Sequence, residues 1–393
     1  MSFVRRIESH LKRFLLDRPF FWYSEGVQSL NGGGFMTLKD ISKATGYSLT
    51  SIHRAIYNKE GLSPATREKI LEAVKSMGYE VNYLASSLKR KTMNIAFVGK
   101  KPRVSHDYHH MIASGVKSAF SQDMGMNIAL HEYYFDGKAS ELEDKECAIL
   151  SDLYHQDDLD GIVIMPINTG IKLQLAVQKL IGKGYPVVLV DDSFEHMDFL
   201  CAVEPFNDLI GQTGAEFMSQ ICKAGKVLVA LGNASSKGQM DNYESFVAYL
   251  KQNNVPITCV PVKDSYDKEQ LVAELGSLID DDVVGLYTVC ESNTPAICEA
   301  ALASGRKDLK VLGCDLSPAN KAYLVDGVLS GILDMNSYLQ GFLAMRVLLE
   351  YILKNISPKA SVLSVPVRLV LRSSLAFFEE EYSAGISIAT RSH

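Results

Sequence analysis

From Met93 onward the chain alternates short, almost wholly apolar runs with longer amphipathic stretches, and few architectures accept that pattern. NIAFVGK (94–100), DGIVIMP (160–166), PVVLVDD (186–192), KVLVALG (226–232), VVGLYTV (283–289) and KVLGCD (310–315) read as strands buried on both faces of parallel sheets. Between them, 110–122, 171–183, 208–222, 242–252 and 293–303 repeat apolar residues at helical spacing. This alternation predicts a doubly wound α/β body over 93–378, with ligands bound at the carboxyl ends of its strands. No G-x-G-x-x-G follows any strand, and LGNASSKG (231–238) lacks the P-loop spacing, so no nucleotide cofactor is expected. No H-E-x-x-H and no nucleophile–base spacing occur, and His109-His110 is an isolated pair. Neither a metal nor an enzyme activity is expected.

The charge is unevenly distributed. The whole chain of 393 residues carries −6, yet residues 36–93 hold ten Lys/Arg against five acids and residues 1–35 hold five against three, leaving −13 on the remaining 300. A small basic head on a large acidic body is the asymmetry of a chain in which one module meets phosphate and the other does not. Seven scattered cysteines without a C-x-x-C indicate neither a zinc site nor a disulfide framework, and suit a reduced, cytoplasmic protein. No apolar run approaches the ~20 residues of a membrane span.

In the head, Thr37 can cap a helix beginning at Leu38, with Leu38, Ile41 and Ala44 facing inward. Gly46 supplies a turn and Ser48 caps a second helix over 49–57. That helix has little to bury: Ile52 and Ile56 pack inward, while Thr50, His53, Arg54 and Tyr57 fall on the other face. Ser63, Pro64 and the spacing of Ile70, Val74 and Met77 define a third helix, closed by Gly78. Three short helices with a tight turn between the first two make a helix-turn-helix, whose second helix enters the major groove. The short segment Asn82–Lys91 ends in three basic residues and is marginal as an isolated helix.

Four ordered motifs carry a resemblance. Thr37-Leu38-Lys39-Asp40-Ile41-Ser42, Ser51-Ile52-His53-Arg54, the run Leu62 to Ile70, and Asn82-Tyr83-Leu84-Ala85-Ser86-Ser87-Leu88 resemble the headpiece and hinge of the LacI/GalR family of bacterial transcription regulators. The resemblance implies that Leu49 and Thr50 read bases and that Arg54 grips guanine bidentately. It implies phosphate contacts from Ser63, Thr66 and Asn82, and a minor-groove wedge at Leu88. Thr37, Leu38, Ser48, His53, Tyr57, Asn58, Tyr83 and Ala85 complete the expected DNA-binding set. His53 and Tyr57 depart from the family's Ser and Asn, which should alter the operator that is read, and Val81 replaces the Pro before the hinge.

The body resembles the two-lobed (type I) periplasmic sugar-binding proteins, most closely over KVLGCDLSPANKAYLVDGVLSGILDMNSYLQGFLA (310–344). The implied effector-binding residues are His106, Asp107, Tyr108 and His109 after the first strand, then Asn168, Asp191, Asn242, Cys290, Asp315, Met335 and Asn336. Three of these depart from the pattern: Asn242 stands for an Arg, Cys290 for an Asn, and Met335 for a Gln. The effector is therefore expected to be a sugar derivative, deoxy-sugar or polyol handled differently from ribose.

Residues 1–35 read either as a basic amphipathic helix (Phe3, Ile7, Leu11, Phe14, Leu15) or, preferably, as leader preceding a start at Met36. The tail 379–393 lacks a leucine heptad, so no tetramerising coiled coil is expected. The organisation expected is thus headpiece 36–81, hinge 82–92 and effector-binding, dimerising body 93–378. Its partners would be pseudo-palindromic double-stranded operator DNA, a sugar-like effector and a second copy of the chain. The rival readings are a sugar-binding or catalytic α/β protein whose head only dimerises, and an activator of the same family.

Overall fold

The computed structural model describes residues 37–56, 60–77, 79, 91–263 and 267–378, which form two compact units. The extension 1–35, Tyr57, Asn58, Gly78, the hinge positions Asn82, Tyr83, Ala85 and Leu88, and the tail lie outside them.

In the head, α1 (Leu38–Thr45) opens on a reciprocal cap: the Thr37 N–H donates to Asp40 Oδ2 at 2.9 Å and the Asp40 N–H to Thr37 Oγ1 at 3.4 Å. It closes on Gly46 at φ 72°, a left-handed conformation that suits glycine. Helix α2 (Leu49–Ile56) starts from Ser48, whose hydroxyl accepts from the Ser51 N–H at 3.1 Å. Helix α3 (Pro64–Ser76) starts from Ser63 with Pro64 at its first position. Ile41, Ile52 and Ile70 are fully buried, and Ala55, Ile56 and Val74 are nearly so. Ala44 is exposed, contrary to expectation. So short a helix buries only Ile41, and the next turn toward the core is Thr45, half-buried and donating to the Ile41 carbonyl at 2.7 Å.

The body has two lobes of one topology. The first holds β1 (Met93–Lys100), β2 (Ile128–Phe135), β3 (Leu159–Ile164), β4 (Val187–Val190) and β5 (Cys201–Pro205). The second holds β6 (Gly225–Ala230), β7 (Ile257–Val262), β8 (Val283–Thr288), β9 (Lys310–Cys314) and β10 (Gly331–Asp334). β11 (Val362–Val365) and β12 (Arg368–Val370) each add an edge strand, giving the orders β11-β5-β4-β3-β1-β2 and β12-β10-β9-β8-β6-β7. All pairings are parallel except β10 with β12. The helices are α4 (Tyr108–Ser121), α5 (Ala139–Tyr154), α6 (Ile171–Gly182), α7 (Asn207–Ile221), α8 (Lys237–Gln252), α9 (Lys268–Leu278), α10 (Thr294–Ala303), α11 (Pro318–Val325) and α12 (Ser337–Lys354). The chain passes between lobes three times: after β5, after β10 and after β11.

Helix α12 leaves the second sheet and packs on α4 of the first lobe, and glycines set how closely the two approach. A Cβ on Gly341 would sit well inside the contact distance of the Ile112 carbonyl, and one on Gly115 would meet the Tyr338 carbonyl and the Phe342 N–H. Backbone on both sides leaves nothing flexible to yield. Gly341→Ala should therefore cost about 1–3 kcal/mol or more through overpacking, lowering the urea midpoint at unchanged slope.

Candidate DNA-reading helix and effector cleft

On α2 the polar face stands in solvent. Thr50, His53 and Arg54 are exposed and Leu49 is 43% exposed, while Ile52, Ala55 and Ile56 point inward. The far end of α2 is tied down by Arg67 of α3, whose guanidinium donates to the Arg54 carbonyl at 3.1 Å. That bond satisfies a terminal helix carbonyl and leaves the Arg54 side chain to do something else. Thr37, Ser48 and Ser63 cap their helices, and Thr66 shares a 2.8 Å hydroxyl contact with Ser63. Leu38 is half-buried. Helix N-termini capped by hydroxyl groups are suited to phosphate.

In the body, the two lobes face each other through the carboxyl ends of their strands. Asp191 follows β4 and Asp315 follows β9, equivalent positions in the repeated topology. Both have positive φ (82° and 57°), and the N–H of each donates to the next strand, Val203 and Leu333, at 2.9 Å. His106 (φ 68°) and Asn336 (φ 54°) share that conformation. Non-glycine residues held there carry strain that the surroundings must offset, and such strain gathers at binding sites.

A cleft open to solvent is bordered by His106, Tyr108, Met111, Asp315, Leu316, Ser317, Lys321 and Ser337. Asp315 is 3% exposed; its Oδ1 accepts from the Met335 N–H at 2.9 Å, while Oδ2 has no hydrogen-bond partner. Burial, then Asp334, Glu291 and Asp191, hold its carboxyl well above the usual carboxylate range against the pull of the Met335 N–H. Tyr108 donates to Asp191 and lies 3.2 Å from Gln340 Nε2. Burial pushes the Asp191 carboxyl up to about 7, and the phenol draws it back.

The remaining expected effector residues do not border this pocket. Asp107 is taken up in capping α4, accepting from the His110, Arg103 and Val104 N–H groups at 2.7, 2.7 and 3.1 Å. His109 is half-buried, and burial together with Lys100 lowers it to about 3. Asn168 accepts from the Gly170 N–H at 2.8 Å. Asn242 is fully buried and accepts from the Tyr287 hydroxyl at 2.6 Å, its Nδ2 without a partner. Cys290 is half-buried after β8, Met335 is buried, and Asn336 precedes α12 without capping it.

Several residues that sequence reasoning passed over hold the lobes together. Asp192, 5% exposed, reaches from the first lobe to the start of α8, accepting from Ser236 Oγ at 2.8 Å and from the Gly238 N–H at 3.3 Å. A carboxylate suits that helix end. Thr169 N–H and Oγ1 both donate to the Ser235 carbonyl (2.8 and 2.7 Å), and Asn233 Nδ2 donates to the Ile167 carbonyl at 3.3 Å. Beneath that loop, fully buried Glu146 accepts from the Ile167 N–H at 2.9 Å, with its carboxyl pushed up to about 8 by burial. The available signal was the Asp-Asp pair closing an apolar strand; Glu146, on α5, had none.

Comparison with known proteins gives these two units their kinship. Residues 37–82 match the model for bacterial regulatory proteins of the lacI family, and residues 95–355 match the periplasmic binding protein domain. The chain belongs to the lacI family. The regulator is 25% identical over 292 residues to the HTH-type transcriptional regulator DegA of Bacillus subtilis (strain 168), covering 71% of this chain and 81% of DegA. It is 22% identical over 354 residues to catabolite control protein A of Priestia megaterium, covering 86% and 99%. The crystal structure of GanP, a glucose-galactose binding protein from Geobacillus stearothermophilus, shares the body's fold at TM-score 0.64 and 16% identity over 73% of this chain and 99% of GanP. This lacI-family protein is thus a DNA-binding transcriptional regulator under effector control. Among the described residues, no helix is long and apolar enough to cross a membrane.

Proposed function

We propose that this regulator represses genes of carbohydrate uptake or catabolism and that a small sugar-like molecule in the cleft controls its hold on the operator. The observation that carries the reading is the pairing, in one chain, of an exposed polar α2 face with a cleft whose Asp315 Oδ2 lacks a partner. Kinship with a catabolite control protein and a fold shared with a glucose-galactose binding protein support the carbohydrate part. In this reading Leu49, Thr50 and Arg54 meet base edges, and Thr37, Ser63 and Thr66 meet phosphates. The hinge 82–92, with Asn82 and Leu88, orders over the centre of a pseudo-palindrome when two cytoplasmic copies bind as a dimer. His106, Tyr108 and Asp315 meet the effector. Closing the lobes moves the dimer contacts, and these decide whether the paired hinges can fold.

The test is a gel-shift series on promoter fragments of neighbouring transport and catabolic genes, with and without sugars identified by thermal shift. One fragment containing a near-palindrome should bind, and one sugar should change its affinity. By linkage, the operator should change that sugar's affinity by the same factor. A sugar that raises the melting temperature yet leaves operator affinity untouched would overturn the coupling, and DNA binding indifferent to fragment would overturn the repressor.

A further inference from the structure

We propose that the ligand of the cleft carries a protonated amine, an amino sugar or a polyhydroxylated amine, seated on the Asp315 carboxylate. The inference rests on the sugar-effector reading and narrows its class. A carboxylate oxygen buried without a donor is costly, and the surroundings offer Asp315 little relief. Asp334 is already held by Arg368 at 2.6 and 2.9 Å, and Asp191 is engaged by Tyr108. Lys321 borders the pocket, but the charges weighing most on Asp315 are negative: Asp334, Glu291 and Asp191. A neutral sugar hydroxyl would give Oδ2 one hydrogen-bond partner and no charge to set against the acids around it. An ammonium group supplies charge and up to three donors, enough for Oδ2 with Ser317 or Ser337 beside it. Burial and the neighbouring acids hold the Asp315 carboxyl well above the usual carboxylate range, so seating an ammonium on it favours the carboxylate and displaces a proton to solvent.

The experiment is isothermal titration of the full chain with matched pairs: D-glucosamine and D-glucose, D-galactosamine and D-galactose, D-mannosamine and D-mannose, with D-glucuronate as an anionic control. At least one amine should bind ~10-fold or more tightly than its hydroxyl partner, the scale of a hydrogen bond to a charged group. Its titration in buffers of different ionisation enthalpy should show proton release that the neutral sugar lacks. Asp315→Asn keeps an acceptor for the Met335 N–H and removes the buried acid, so it should fold and bring the pair within about threefold. Because proton release is read on the unaltered protein, a misfolded variant does not shelter the proposal. A neutral sugar or glucuronate binding better than the amine overturns the proposal and leaves a sugar effector standing. An amine preference that survives Asp315→Asn overturns the seat. Failure of every sugar to bind overturns both.

Discussion

Replacing Arg54 with alanine should weaken operator binding by about 5- to 150-fold for each half-site engaged, the worth of one bidentate guanine contact at about 1–3 kcal/mol. The substitution is clean because Arg54 serves the fold through its carbonyl, which accepts from Arg67, while its side chain is exposed. Helicity and melting temperature should stay as they are, and the loss should be concentrated on one base pair per half-site. A phosphate contact would behave differently: its removal weakens all sequences alike and flattens the salt dependence. A gel-shift series across salt, run on wild-type and single-base-substituted operators, separates the two. If Arg54→Ala binds the intact operator as the wild type does, the head is not the reading module, and a head that only dimerises becomes the better account.

The features visible in the sequence were those fixed locally. All six apolar runs became strands because each lies inside a sheet, buried on both faces, and needs no partner to be recognised. The edge strands β2, β7, β11 and β12 escaped, and so did the short inner strands β5 and β10. β2 exposes His131 and Glu132, β7 carries Pro261, and β5, β10, β11 and β12 are three to five residues long, so none sustains a period. Helix α8 begins at Lys237 rather than 242, since Ser236 caps it and accepts from the Gln239 N–H at 3.4 Å; the polar run SSKGQM carries no apolar period to mark a helix. The caps Thr37, Ser48 and Ser63 were readable because a cap and its helix are neighbours in the chain. The pocket was only half readable. Asp315 and Tyr108 stand out beside strand ends, but Ser317, Lys321 and Ser337 join them only through the crossover after β10 and the start of α11. Asp107 shows the opposite hazard: a polar residue at a strand's carboxyl end looked free for a ligand, and the helix that follows uses it as a cap.

Ile52→Ala should weaken operator binding severely by shifting the head toward its unfolded form, with the body left intact. Ile52 is fully buried, as are Ile41 and Ile70, in a unit built from three short helices. Truncating such a residue costs about 2–5 kcal/mol. At roughly 0.05–0.15 kcal/mol per residue, a unit so small has only a few kcal/mol of stability to lose. The body forms a separate compact unit with its own cores, so its thermal transition and its response to ligand should be unchanged. Two readouts distinguish this variant from Arg54→Ala. Helical circular dichroism should fall with Ile52→Ala and hold with Arg54→Ala. Excess operator should partly restore the lost helicity, because DNA binds only the folded head and draws the equilibrium toward it, whereas no concentration of DNA returns the missing guanidinium. An Ile52→Ala protein that keeps its helicity and binds within threefold of wild type would mean that the head's stability comes from elsewhere than this core.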